Sequence, residues 1–563
     1  MPNNSLLELS IFLILLIGLT PPAGIYIAKV LGGESIPIVS VFRWVERIIY
    51  RVAGVNPDHE MGWREYAFCL LAFNALGILV LFALQVFQNR LPLNPRGFTS
   101  VSPFLAFNTA VSFVTNTNWQ AYSGEVTLSY FSQLLGLTVQ NFLSAATGIA
   151  VMAALARGIS RKETSALGNF WVDIVRATLY ILLPISFILA IALVSQGVIQ
   201  NLSDYVDAKT IEGSIQILPM GPAASQIAIK QLGTNGGGFF GVNSAYPFEN
   251  PTPFSNFLEM FSILILPAAC AYAFGFLVKN YRHGIALLIA MFTVFILCLA
   301  VAVWMELQKN AAIGGLPFME GKETRFGIIP SVLWGVATTA ASNGSVNAMH
   351  DSFSPVAGGI AIFNMMLGEV IFGGVGSGLY GIVLHVVLTV FIAGLMVGRT
   401  PEYLGKKIES RDIVYAIIGV LLPSAFVLTF AAISVVLPQG LASLGNKGPH
   451  GLSEILYAFT SASNNNGSAF AGLDANTPYY NTLTAIAMLF GRFGVIVPVL
   501  ALAGNLAGKK YVPPSSGTFP TEGYLFVMLL IGVIIIVGAL TFLPALFLGP
   551  VTEHFLMNAG RVF

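Results

Sequence analysis

Ten apolar stretches, each long enough to cross a hydrocarbon core, constrain this chain more than any other feature. They lie near 6–28, 64–87, 126–156, 171–195, 254–278, 284–306, 355–398, 412–437, 480–505 and 522–548. A helical crossing needs about 20 such residues, and in lipid a helix satisfies all of its own backbone groups. Only 9% of the residues are charged, against about 25% in a soluble domain, so a soluble fold is excluded. The seventh stretch is too long for one crossing and carries a glycine-rich break. The expectation is an all-α polytopic membrane protein of about ten transmembrane helices.

Basic residues orient the spans, because cytoplasmic loops carry the excess of Lys and Arg. Lys29, Arg43, Arg47 and Arg51 follow the first span, and Arg157, Arg161 and Lys162 the third. Lys279 and Arg282 follow the fifth; Arg399, Lys406, Lys407 and Arg411 the seventh; Lys509 and Lys510 the ninth. All fall on one side. The opposite loops hold Asp204, Asp207 and Glu212, and both termini belong there. A cleavable leader has its positive charge in front, whereas Lys29 comes after the first span, which reads as a retained helix. The net charge of +1 and the lack of a basic run argue against nucleic acid. Cys69, Cys270 and Cys298 sit in apolar runs without metal-ligand or disulfide spacing.

Four polar patches interrupt this apolar background: "SFVTNTNWQ" (112–120), "KQLGTNGGG" (230–238), "TTAASNGSV" (338–346) and "SASNNNGSA" (461–469). Aligned on Asn116, Asn235, Asn343 and Asn466, they recur at 119, 108 and 123 residues, a spacing that signals repeated units. Each unit has a spanning helix and then a segment too short to span (103–114, 223–233, 330–341, 453–464). The patch, an acid and a second spanning helix follow. Irregular backbone at membrane depth is tolerated only where it is buried in protein or lines a watery cavity. Four pseudo-symmetric helix–pore loop–helix repeats around one pore, with an extra helix at each end, meet that condition. The corresponding boundaries are 1–62, 63–157, 158–280, 281–400, 401–510 and 511–563.

The residue types suit a cation filter, in which carbonyl oxygens replace the hydration shell. Turning successive carbonyls inward needs backbone angles that glycine adopts at least cost. The expected filter residues are Thr115, Asn116 and Thr117; Thr234, Asn235 and Gly236; Ser342, Asn343 and Gly344; and Asn465, Asn466 and Gly467. Gln120, Gly237, Ser345 and Ser468 stand beside them as supports. Thr117 breaks the pattern of glycine at the third position. The acids Glu125, Glu249, Asp351 and Asp474 either ring the outer mouth, concentrating cations, or cap the helices that follow.

These patches and their flanks, "TNTNWQAYSGE", "QLGTNGGGFFGVNSAYPFENPTPFSN", "SNGSVNAMHDSFSPVAGG" and "NNNGSAFAGL", closely resemble the potassium-transporting ATPase A chain (KdpA) family, of the superfamily that also holds the Trk, Ktr and HKT proteins. The resemblance covers essentially the whole chain and is sharpest at 231–256. It implies a potassium-binding, ion-selecting and translocating subunit of a bacterial inner-membrane uptake complex. It also implies three partners: a P-type ATPase subunit that hydrolyses ATP, a periplasm-exposed C subunit and a small F subunit. In that family a tunnel is thought to lead sideways from below the filter into the pump, the direct route to the cytoplasm being obstructed. Here "GEVIFGGVGSGLYG" (368–381) fits an obstruction: two half-helices joined by a loop with Glu369, Gly373, Gly374, Gly376 and Gly378 beneath the filter.

Intramembrane charges are functional candidates by default. Arg492 in "GRFGV" is expected under the pore, as a barrier or paired with an acid; Glu369 is expected to attract cations. Arg176 and Glu259 read as structural or near-interface, and His385 as a packing residue. Gly376–Gly381 and Gly236–Gly241 match G-x-G-x-x-G, but neither follows a strand of a βαβ unit, so the dinucleotide reading fails. "GKE" at 321–323 is no phosphate loop, and no Asp-Lys-Thr-Gly-Thr motif exists, so ATP hydrolysis is not expected of this chain. Two alternatives stand beside the pump subunit. A self-sufficient Trk-like channel or symporter lacks the flanking motifs. An inverted-repeat transporter would put matched segments on opposite sides.

Overall fold

The computed structural model describes residues 2–34, 36–309, 314–316, 318–396, 398–513 and 518–561. Ten helices among them have the length and apolarity to span: Ser5–Leu31, Trp63–Val86, Ser132–Ser160, Phe170–Ser195, Pro253–Leu277, Tyr281–Glu306, Ser377–Met396, Ser410–Ser434, Pro478–Ala507 and Tyr524–Asn558. The all-α polytopic fold expected from the sequence is the one observed. The long seventh stretch resolves into a short helix, Pro355–Met366, and the span Ser377–Met396, with irregular backbone between. The outermost spans bury least of their surface: Ser5–Leu31 and Trp63–Val86 present Ile14, Phe68 and Leu79 outward, whereas Ser132–Ser160 is almost wholly enclosed. An outward apolar surface is stable only against lipid or another apolar partner.

The basic loops gather on one side. Met61 pairs with Gly168, Lys406 Nζ donates to Arg161 O and to Lys509 O (2.9 Å), and His283 contacts Tyr403 Oη and Thr521 O at 2.9 Å each. The other side carries a hairpin, Val206–Lys209 with Ile215–Leu218. There Tyr130 Oη donates to Ser203 O (2.8 Å) and Tyr205 Oη to Glu125 O (2.6 Å). Four short helices enter from this second side: Pro103–Val114, Ala223–Leu232, Ile328–Ala340 and Gly448–Ser463. Most of their residues are buried, Phe104 and Phe107 of the first being exposed, and each ends in one of the four polar patches.

Candidate functional site: four loops closed into a ring

Each short helix stops the same way. The capping residues are Thr115, Gly233, Ala341 and Asn464. The next residue turns left-handed: Asn116 (φ 64°), Thr234 (48°), Ser342 (51°) and Asn465 (59°). The one after returns its N–H to the carbonyl five positions back: Thr117 to Ser112 (2.9 Å), Asn235 to Lys230 (2.9 Å), Asn343 to Thr338 (3.2 Å) and Asn466 to Ser461 (2.8 Å). The third is left-handed again: Asn118 (55°), Gly236 (86°), Gly344 (86°) and Gly467 (97°).

This conformational register corrects the sequence alignment in the first repeat by one residue. The equivalent of Asn235 is Thr117, not Asn116, and Thr115 is the helix cap rather than a loop position. Its Oγ1 lies 2.8 Å from Thr117 Oγ1. Asn118, which sequence reasoning passed over, takes the glycine position. Asparagine is among the few non-glycine residues that visit the left-handed region readily, so the first loop follows the same path without a glycine. The signal was present in the second asparagine of "TNTN"; matching identical letters hid it.

The four loops close on one another in chain order. A Cβ at Gly236 would strike Asn343 O, one at Gly344 would strike Asn466 O, and one at Gly467 would strike Thr117 O. At the remaining junction Asn118 does carry a Cβ, and opposite it stands Gly237, where an added Cβ would sit only 2.6 Å away. Side chains bridge the same junctions. Asn116 Nδ2 donates to Thr234 O (2.8 Å), Asn343 Nδ2 to Lys230 O (3.2 Å), Ser342 Oγ to Asn465 O (2.8 Å) and Asn465 Nδ2 to Thr117 Oγ1 (2.9 Å). Gln120 locks repeats one and two together, its amide accepting from Gly238 N (2.8 Å) and donating to Gly238 O (3.2 Å). Ser345 N–H and Ser468 N–H donate to Asn343 Oδ1 (2.9 Å) and Asn466 Oδ1 (3.0 Å), bracing the third and fourth loops.

The four expected mouth acids are not equivalent, and neither expectation describes them as a set. Glu249 is fully buried in an ion pair with Lys230. Glu125 Oε2 accepts from Gly241 N at 2.8 Å. Asp351 lies 3.0 Å from His450 Nε2, whose other ring nitrogen is 2.7 Å from Glu553. Asp474 alone stands exposed. The helices that follow are capped instead by Thr252, Ser354 and Thr477. The two carboxylates hold His450 protonated, with its pKa raised to about 10 against the burial that opposes it. This cluster ties the fourth short helix to the C-terminal segment.

Directly beneath the ring runs the break at 367–376. Gly373 N donates to Ala340 O and Val375 N to Thr234 Oγ1, both at 2.9 Å. Gly376 abuts the Gly148 backbone, and Gly374 and Gly378 lie against Ser377 and the Phe372 carbonyl. Phe372 packs edge-on against Phe292 (4.9 Å) and Phe295 (5.6 Å), anchoring the loop. Glu369 is 3% exposed; its Oε1 accepts from Asn466 Nδ2 at 2.6 Å, while Oε2 has no hydrogen-bond partner among the described residues. Arg492 pairs with no acid there; its Nη2 donates to Ser144 O at 3.1 Å. Both side chains line a cavity of about 70 Å³ whose upper wall includes Ser342 and Asn465. Its lining also includes Leu384, Gly419 and Phe542. His385, also on its wall, bonds Gly381 O at 3.1 Å. Arg176 pairs with Glu46 (3.1 Å), and Glu259 accepts from Gln231 and Ser244 (2.9 Å each), so neither reaches the ring.

Four buried loops of irregular backbone, set at the negative ends of four helix dipoles, have the makings of a site where carbonyls replace the hydration shell of a cation. Residues 10–555 match the family described as the potassium-transporting ATPase A subunit. Among curated relatives, the potassium-transporting ATPase potassium-binding subunit of Rhodospirillum centenum is 58% identical, covering 100% of this chain and 99% of its own length. The protein of that name from Leptospira interrogans serovar copenhageni is also 58% identical (99% and 99%), and that from Methylococcus capsulatus 54% (100% of both). With its own loops closed into the ring that the quoted motifs predict, the chain belongs to the potassium-transporting ATPase A subunit family.

Proposed function

We propose that this chain is the potassium-binding, ion-selecting subunit of an ATP-driven uptake complex in a bacterial inner membrane. The observation that carries the reading is the closed ring of four left-handed loops, with each glycine seated on its neighbour's carbonyl. The filter comprises Asn116–Asn118, Thr234–Gly236, Ser342–Gly344 and Asn465–Gly467. Potassium entering from the hairpin side sheds water at the ring, and Glu369 holds it in the cavity below. The glycine-rich break bars direct passage, and the ion leaves the cavity sideways to a P-type ATPase partner. A periplasm-exposed C subunit and a small F subunit complete the assembly. No phosphorylation motif is present in this chain, so hydrolysis falls to the partner.

The test is purification of the tagged chain from its native membrane. A copurifying P-type ATPase whose hydrolysis rises with potassium supports the reading. A lone chain that conducts potassium in liposomes without ATP would favour the stand-alone channel.

A further inference from the structure

The second loop is the least braced of the four by its own residues. In repeats three and four the residue after the glycine is a serine whose N–H closes a turn onto the loop asparagine. In repeat two that residue is Gly237, and the Asn235 side-chain amide turns instead toward Asn116 (2.6 Å) and Ser144 (3.1 Å). Three consecutive glycines, Gly236–Gly238, would leave the peptide after Gly236 free to rotate. It is held from outside: Asn243 Nδ2 donates to Gly236 O at 2.9 Å. Asn243 is itself left-handed (φ 56°), and its Oδ1 accepts from Lys230 Nζ at 2.5 Å.

Lys230 is the odd member of a fourfold set. The positions that receive the loop N–H bonds are Ser112, Thr338 and Ser461 in the other repeats. Its side chain is fully buried, paired with Glu249 and 3.3 Å from Ser244 Oγ. Gly238 makes room for it, since a Cβ there would lie 2.9 Å from the ammonium. Burying such a pair gains little stability over apolar residues of the same size, and fixing one arrangement is its best-attested use. We propose that Lys230 is a positioning residue for ion selection: it clamps Asn243 so that the Gly236 carbonyl stays fixed in the ring. This rests on the filter reading above. A smaller ion is held well only if carbonyls close in on it. A clamped peptide does not follow; a released one does.

The experiment is ATP hydrolysis by the intact, reconstituted complex as a function of potassium, rubidium and sodium. Three variants are compared: Asn243→Asp, the paired Lys230→Met with Glu249→Gln, and all three together. Asn243→Asp keeps the acceptor for Lys230, replaces the N–H donated to Gly236 by a carboxylate oxygen and adds one negative charge. The paired substitution removes both charges at nearly constant volume. The expected result is a fall of about tenfold in potassium-over-sodium preference, with maximal rate little changed. The fall is the same in each variant and no larger in the combination, because one clamp is lost in all. If the charge-pair variant fails to assemble, Asn243→Asp decides alone. An unchanged ion ranking in an assembled variant overturns the proposal, as does a combined loss near a hundredfold. Gly236→Asp serves as the reference: if it also leaves the ranking unchanged, the filter reading has failed rather than the clamp.

Discussion

Replacing Gly237 by alanine tests the corrected register of the first loop. Gly237 lies outside the left-handed region, so alanine adds no backbone strain there. What it adds is a Cβ 2.6 Å from Asn118 Cβ, with Asn118 O at 2.7 Å and Phe113 Cζ at 3.0 Å. Carbon atoms prefer about 3.5–4.0 Å, so the loops must part by roughly 1 Å, and overpacking of this kind costs about 1–3 kcal/mol. Parting the loops opens the ring, so the strain opposes the ion-bound form. At about 1.4 kcal/mol per tenfold, apparent potassium affinity should fall about tenfold. Asn118→Gly alone should matter little: it relieves a left-handed side chain but loses the 2.6 Å bond from Asn118 Nδ2 to Asn141 Oδ1. Combined, the two should recover about half the loss on a logarithmic scale, since the Cβ clash goes while the carbonyl and Phe113 contacts remain. The assay is potassium-stimulated ATP hydrolysis of the four members of the cycle in purified complex. Additivity within about 0.4 kcal/mol would show that Asn118 and Gly237 do not meet and that the register is wrong.

Other consequences follow from the same geometry. Glu369→Gln keeps the shape beside Asn466 but removes the charge from the cavity; apparent potassium affinity should fall about tenfold with assembly intact, read from hydrolysis and gel filtration. Deleting 373–376 should turn the chain into a potassium leak in liposome flux, whereas a tight deletion variant would acquit the loop as barrier. The His450 clasp stabilises in full below pH about 6.5, the ordinary value for histidine, and is lost as pH rises through about 10. Thermal stability should therefore decline across that interval, and His450→Gln should flatten the profile.

The spans were legible because lipid enforces length and apolarity: each predicted stretch overlaps one spanning helix, although the seventh, 355–398, shrinks to Ser377–Met396 and the last runs on to Asn558. The patches were legible because polar, glycine-containing backbone has no place in lipid unless it is enclosed. The register of the first loop was not, since Asn118 substitutes for glycine by conformation and letters cannot show a φ angle. The mouth acids misled for another reason. Glu249 and Asp351 are consumed by Lys230 and His450, partners 19 and 99 residues away that only the folded chain brings close. Lys230 itself looked like part of a patch flank, and its role emerges only from comparison with Ser112, Thr338 and Ser461 in the equivalent positions.

The central claim, one ion site built from all four loops, is tested most directly by anomalous diffraction from crystals of the complex grown in thallium or rubidium. The account predicts a peak on the ring axis, within coordinating distance of carbonyls from the loops at Thr117, Asn235, Asn343 and Asn466. Density that touches only one or two loops, or a strong peak elsewhere with none at the ring, would contradict it.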